Sequence, residues 1–193
     1  MELISPEDFF EWIQCNGIGY SEEYPDYLQY RCIPIYSRFW QTPGNAGNLP
    51  HFIDRMLLSL SPWETCTLWP LAGRWPQVGP QLRIDDRVRD VVVRGAGIIP
   101  GFAGAVRFAG DEREKLVSVI FAQLMFGWSA PDDIVIVAGH CRQFLQTDHH
   151  HMMHATFSSE DQIQPYIAHM AAVGYDLPET VPDWTFIKPA WMD

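Results

Sequence analysis

Residues 126–162, FGWSAPDDIVIVAGHCRQFLQTDHHHMMHATFSSEDQ, decide the fold of this chain. Within them, Ile134–Ala138 is a short, apolar, β-branched run, which predicts a buried strand. Two further strands are expected over residues 142–147 and 150–157. A turn at Asp148-His149 would make these two strands antiparallel neighbours. The stretch therefore predicts the centre of a sheet.

The sequence before and after these strands predicts several helices. A first helix is expected from Pro6, capped by Ser5. Apolar positions spaced near 3.6 residues predict three more helices. One is opened by Pro50, and the other two are capped by Asp111 and Ser159. Strands and helices are mixed without regular βαβ alternation. The predicted class is therefore α+β, a single domain over residues 1–193 with a mainly antiparallel sheet packed with three to four helices.

The remaining segments complete this prediction. Residues 31–40 are expected to form an edge or irregular strand because they contain Pro34, and residues 65–71 another strand. Residues 82–94 interleave β-branched and charged side chains, which favours a half-exposed strand. Residues 175–193 are expected to lie extended over the rest of the domain, with their Trp and Phe side chains buried.

Composition indicates a folded cytoplasmic protein. The chain is 47% hydrophobic and 19% charged, which is typical of a globular domain rather than a disordered one. Its N-terminus lacks the features of a secretory signal, and no window resembles a membrane span. The cysteines show no metal-binding spacing, which favours reduced thiols: Cys15, Cys32, Cys66 and Cys141.

Negative charge is concentrated near the chain ends. The formal net charge is −11, and no Lys or Arg occurs in residues 1–30. Such a surface repels nucleic acids and anionic membranes and attracts basic partners. We expect a protein partner, with no nucleic acid and no membrane. The sequence leaves the oligomeric state open.

Residues 19–30 are the predicted partner-binding segment, interpreted as a surface loop or short helix. Tyrosine supplies rigid amphipathic contact area, and carboxylates supply long-range attraction to a basic cleft. The alternative is a solvated acidic loop whose tyrosines pack inward. The predicted contact residues are Tyr20, Glu22, Glu23, Tyr24, Asp26, Tyr27 and Tyr30.

The histidine run His149–His151, with His154, is the one constellation that suggests metal chemistry. In a strand, His150 and His154 would lie about 13 Å apart at ~3.3 Å per residue, too far to share one ion. The spacing matches no established zinc pattern, so neither a metal nor another cofactor is expected. Asp132-Asp133 fits either a turn or a pair of acids. With no G-x-S-x-G either, we predict no catalytic residue and no enzyme.

Three segments carry a resemblance to a known class of proteins: SPEDFFEWI at residues 5–13, SEEYPDY at residues 21–27 and PDWTFIKPAWMD at residues 182–193. Together with the acidic, tryptophan-rich composition, they resemble the immunity proteins of bacterial polymorphic and contact-dependent toxins. The resemblance implies a cytoplasmic antitoxin that binds and inhibits a cognate, basic toxin domain. Two alternatives stay open: a metal-dependent hydrolase that uses residues 148–154, and a non-catalytic scaffold protein.

Overall fold

A computed structural model describes residues 1–21, 28–31, 36–76, 83–127, 132–149 and 151–177. The helices in these ranges are α1 (Pro6–Cys15), α2 (Leu49–Ser59), α3 (Ile84–Gly95), α4 (Arg113–Phe126) and α5 (Ile163–Ala172). The strands are β1 (Glu2–Ile4), β2 (Ile18–Tyr20), β3 (Leu28–Tyr30), β4 (Tyr36–Gln41), β5 (Thr65–Pro70), β6 (Ala105–Ala109), β7 (Ile134–Ala138), β8 (Gln143–Asp148) and β9 (Met152–Phe157). The predicted α+β class is confirmed.

Seven of the described strands form one sheet in the order β1-β6-β5-β7-β8-β9-β4. Each pairing between them is antiparallel. β7 lies at the centre, and β8 and β9 are antiparallel neighbours, as the sequence predicts. β2 and β3 form a separate two-stranded sheet.

The sheet is covered on both faces. On one face, a hydrophobic cluster joins the sheet to α2, α3, α4 and α5. On the opposite face, a second cluster joins it to α1 and the β2–β3 pair. Alternate residues of β7 belong to the two clusters: Ile136 to the helical one and Val135 and Val137 to the other. A strand buried on both faces reads as a continuous apolar run, which explains the sequence of β7.

α1 begins as predicted. The Ser5 Oγ accepts a hydrogen bond from the Asp8 backbone N–H at 3.1 Å and donates one to the Asp8 carboxylate at 2.7 Å. The helix ends at Asn16, followed by Gly17 with φ +75°, a conformation that glycine adopts without steric cost. Phe9 and Ile13 bury its apolar side.

The strand predicted for residues 82–94 is wrong, because Ile84–Gly95 form α3. Val93 is 1% exposed and packs against the helical cluster, whereas Val91 is 68% exposed and Ile84 70%. In a strand, Val91 and Val93 would share a face, so this burial follows the 3.6-residue period instead. The β-branched composition favoured a strand, but packing against α4 determines the structure.

The other predicted helices form with small changes at their starts. A 3₁₀ turn, Gly110–Glu112, precedes α4, and the Glu112 carboxylate accepts from the Ala109 N–H at 3.1 Å. Another 3₁₀ turn, Glu160–Gln162, precedes α5, and Ser159 makes no side-chain cap bond. Among the described helices, none is long and apolar enough to cross a membrane.

The edge strand and the C-terminal segment are described in part. β4 lies at the sheet edge, as predicted, whereas Pro34 lies outside the described residues. The Trp40 indole N–H donates to the Tyr175 carbonyl at 3.3 Å, and the Tyr175 ring packs edge-on against Phe52. Residues 178–193, with the predicted buried Trp and Phe side chains, lie outside the described part of the chain.

Candidate functional site

The β2–β3 hairpin carries both described ends of the predicted partner-binding segment. Tyr20 lies opposite Leu28 in the register of the hairpin. Tyr20 is 45% exposed, and its ring centroid lies 5.7 Å from that of Phe10 in α1. The predicted loop or short helix is therefore corrected at its two ends, which are short strands.

Tyr30 does not lie on the surface. It is 4% exposed, its hydroxyl donates to the Cys141 carbonyl at 2.7 Å, and its ring centroid lies 5.4 Å from that of Phe144. Its predicted place in the recognition surface is corrected, because these contacts hold the ring in the core. The other predicted contact residues lie outside the described residues: Glu22, Glu23, Tyr24, Asp26 and Tyr27.

A buried glutamine joins the hairpin to the main sheet. The Leu28 N–H donates to the Gln146 Oε1 at 3.2 Å, and Gln146 is 1% exposed. Gln146 in β8 lies directly opposite His154 in β9. The hairpin therefore packs against β8 and β9, the strands on either side of the histidine run. The fold thus brings the predicted partner-binding segment close to the histidine run.

Two aspartates and two histidines form a connected network at this end of the sheet. The His149 Nδ1 lies 2.9 Å from the Asp133 Oδ2 and 3.8 Å from the Asp148 Oδ1. The His154 Nε2 lies 3.4 Å from the Asp148 Oδ2. The Asp148 side chain is fully buried, and that of Asp133 nearly so. Each imidazole thus faces a carboxylate that is removed from solvent.

Burial, and after it the nearby Asp148 carboxylate, raise the pKa of Asp133 from 3.8 to about 8. The Asp132 carboxylate acts in the same direction, whereas hydrogen bonds from the His149 backbone and the Thr147 hydroxyl lower the pKa. Desolvation penalises the charged form of an acid, and a second negative charge does the same. The Asp133 carboxyl is therefore a proton-holding group near neutral pH, hydrogen-bonded to an imidazole.

The sheet topology explains why these residues meet. Asp133 immediately precedes β7, and Asp148 ends β8. Because β7 and β8 are antiparallel, the start of one lies beside the end of the other. The sequence interpretation treated Asp132-Asp133 and Asp148-His149 separately. The missed signal was the predicted strand order, which places the residue before one strand next to the residue after the other.

His149 and His151 lie in turn conformation between β8 and β9. His151 has φ +62°, and its carbonyl accepts from the Thr42 backbone N–H at 2.8 Å and from the Thr42 hydroxyl at 2.9 Å. His150 lies outside the described residues. Within the described ranges, no group of three or more His, Cys, Asp or Glu side chains is arranged to hold a metal ion.

An ion-paired arginine fixes the segment that precedes this network. Arg89 of α3 donates to the Asp132 Oδ1 at 2.6 Å and to the Asp86 Oδ1 at 3.1 Å. Arg89 is buried, so these bonds are stronger than exposed ones. They tie α3 to the residue beside Asp133 and so help to position the network.

Comparison with known proteins identifies no relative: no family model, no curated protein and no solved structure matches the chain.

Proposed function

We propose that this chain is an inhibitory binding protein of the immunity type, which captures a basic toxin domain in the cytoplasm. The recognition surface in this proposal is the segment that the β2–β3 hairpin presents. The observation that carries it is the exposed Tyr20, which lies at the end of β2 that leads into the connection containing Glu22, Glu23 and Asp26.

The attachment of the hairpin to the main sheet supports this proposal. Leu28 is bonded to Gln146, and Tyr30 to Cys141, so β3 is held against β8 and the β7–β8 turn. A recognition element fixed before binding loses less conformational entropy when the complex forms. β3 is therefore a fixed support for the segment to which this proposal assigns recognition.

The charge distribution supports it too. Residues 1–30 contain no Lys or Arg, and the whole chain has a net charge of −11. Toxin domains that act on nucleic acids need basic clefts, and an acidic surface accelerates encounter with such a cleft. A tyrosine at the centre of the contact would then slow dissociation.

A toxin-challenge assay tests the proposal. The probe is the C-terminal domain of the protein encoded immediately upstream, expressed in cells that also produce this chain. Wild-type protein is expected to restore growth, and the triple variant Glu22→Lys, Glu23→Lys, Asp26→Lys is expected to protect poorly. The matched control reverses three exposed acids elsewhere, Asp111, Glu114 and Glu160, so that both variants change the net charge equally.

Two results would contradict the proposal. One is an upstream gene for a metabolic enzyme instead of a secreted protein with a variable C-terminal domain. The other is full protection by the triple variant at an expression level equal to that of the wild type.

The Asp133–His149–Asp148–His154 network makes a metal-dependent hydrolase the second candidate, although these side chains would have to rearrange before they could hold an ion. Carboxylate and imidazole side chains are the ligands and proton carriers that such enzymes use. Three contacts of 2.9, 3.8 and 3.4 Å link its two buried carboxylates and two imidazoles into a chain.

Metal content distinguishes the two candidates. Protein purified without a histidine tag is expected to contain far less than one zinc or manganese per chain. Stoichiometric metal that is lost in His149→Ala or Asp148→Asn, but retained in the control His51→Ala, would favour the hydrolase. His51 is exposed and lies at the start of α2.

A further inference from the structure

A cavity of about 490 Å³ lies between the C-terminal end of α2, the β7–β8 turn and the first turns of α5. Its size is within the range of small-molecule sites. None of its lining residues belongs to the β2–β3 hairpin. It is therefore separate from the proposed recognition surface.

Hydrogen bonds between the three segments hold the cavity walls in place. The His140 Nε2–H donates to the Leu60 carbonyl at 2.8 Å, while its Nδ1 accepts from the Arg142 N–H at 3.0 Å. The Gln143 side-chain amide donates to the Ser59 carbonyl at 3.0 Å. Both ring nitrogens of His140 already make hydrogen bonds within the protein, so the ring forms part of the cavity wall and does not bind a ligand through them. These bonds also fix the β7–β8 turn to the end of α2.

One positive and one negative side chain at the cavity form no ion pair within the described part of the chain. Arg142 and Asp161 are both exposed, and neither forms an ion pair with any residue in the described ranges. Arg142 comes from the β7–β8 turn, and Asp161 from the 3₁₀ turn before α5. A guanidinium recognises a carboxylate with two parallel hydrogen bonds, and a carboxylate recognises an ammonium group.

The wall also contains buried polar atoms without hydrogen-bond partners among the described residues: the Gln162 Oε1 and the His169 Nε2. The Gln162 Nε2 donates to the Ser158 Oγ at 3.1 Å. If the amide were turned so that its oxygen and nitrogen changed places, the nitrogen would lack a partner instead of the oxygen. Native structures rarely leave such atoms unsatisfied. Both atoms are closed off from solvent, so they reflect the packing of this wall, and the recognition of a ligand rests on Arg142 and Asp161.

Apolar side chains complete the lining. Leu58, Pro62 and Tyr166 contribute to it, and Tyr166 is buried against the core. A ligand that fits this lining has a short body with some apolar surface and a charge of each sign.

We propose that this cavity binds a small zwitterion of the amino-acid class, either a free amino acid or a dipeptide with free termini. Arg142 binds the ligand carboxylate, and Asp161 binds its ammonium group. This inference is independent of the proposed antitoxin function, since it uses no residue of the hairpin.

Thermal unfolding of the full chain tests the inference. Each standard amino acid and a set of dipeptides are added at about 10 mM, ten times a dissociation constant of about 1 mM. At least one zwitterion is expected to raise the Tm by about 3 °C or more. The N-acetylated and the amidated forms of that compound, each lacking one charge, are tested beside it, and calorimetric titration gives the affinities.

Paired variants locate the two charges. Arg142→Met is expected to abolish the response to the zwitterion and to its N-acetyl form. Asp161→Asn is expected to weaken zwitterion binding about ten-fold, down to the affinity of the N-acetyl form, and to leave the N-acetyl form unaffected. The controls Arg87→Met and Asp111→Asn remove exposed charges elsewhere and are expected to change nothing.

Three outcomes would overturn the inference. No amino acid or dipeptide shifts the Tm; a shift persists in Arg142→Met; or acetate alone gives the same shift, which would identify a simple anion site.

Discussion

The carboxyl group of Asp133 makes the stability of the protein depend on pH near neutrality. Its pKa in the folded state is raised from 3.8 to about 8, first by burial and then by the Asp148 carboxylate. Between these two values the folded state keeps a proton that the unfolded chain has lost. The free energy of unfolding that Asp133 contributes is therefore fully present below about pH 4 and is lost as the pH rises through about 8.

Asp133→Asn removes this pH dependence. Relative to the wild type, we expect the free energy of unfolding of the variant to increase by about 1–4 kcal/mol between pH 5 and pH 8. Urea denaturation of both proteins at the two pH values measures the change. Asp161→Asn, at an exposed position, is the control and should give a constant difference. A constant difference for Asp133→Asn as well would show that the Asp133 pKa is not raised.

At the scale of the structural elements, the buried Tyr30 hydroxyl is one of the groups that hold the hairpin against the sheet. Tyr30→Phe removes the hydrogen bond to the Cys141 carbonyl and leaves that carbonyl without this partner, at a cost of about 1 kcal/mol. Amide hydrogen exchange of β2 and β3 is expected to become about five-fold faster. Tyr175→Phe, which removes the hydrogen bond to the His51 Nδ1 far from the hairpin, should leave this exchange unchanged. Equal exchange in Tyr30→Phe and wild type would contradict the anchoring role of Tyr30.

The helical structure of α3 is tested by two neighbouring valines. Val93→Ala should lower the free energy of unfolding by about 1.5–3 kcal/mol, because two buried carbon atoms are lost. Val91→Ala should have little effect or stabilise slightly, since the position is exposed and alanine has the higher helix propensity. Urea denaturation of each variant measures the difference. Similar losses for the two variants would indicate a strand, which would place both side chains on one face.

These elements also show what the sequence could and could not reveal. β7 was predictable because a strand buried on both faces needs an unbroken apolar run, and α1 because Ser5 and Pro6 form a local start signal. α3 was not, since its valines favour a strand locally and only the contact with α4 makes it helical. The Asp133–His149 contact joins residues that are distant in sequence, and it follows only once the order of β7 and β8 is known.

At the scale of the whole molecule, the sheet separates the proposed recognition surface from the cavity. The hairpin and α1 cover one face of the sheet, whereas the cavity lies among helices on the other. Both surfaces contact the β7–β8 turn, since Cys141 accepts from Tyr30 and the adjacent Arg142 lines the cavity. The net charge of −11 adds long-range attraction to any basic partner, and this attraction weakens with salt.

The association rate constant at low and high salt tests the proposed recognition surface most directly. The proposed partner, the C-terminal domain of the protein encoded immediately upstream, is immobilised. Binding is followed in real time for three proteins: the wild type, the triple variant at Glu22, Glu23 and Asp26, and the matched control at Asp111, Glu114 and Glu160. At low salt the triple variant should associate about ten-fold or more slowly than the wild type, and the control should stay within about two-fold. At high salt the difference should shrink. Equal slowing of the triple variant and the control would mean that only net charge matters, and an unchanged rate for the triple variant would place the recognition surface elsewhere.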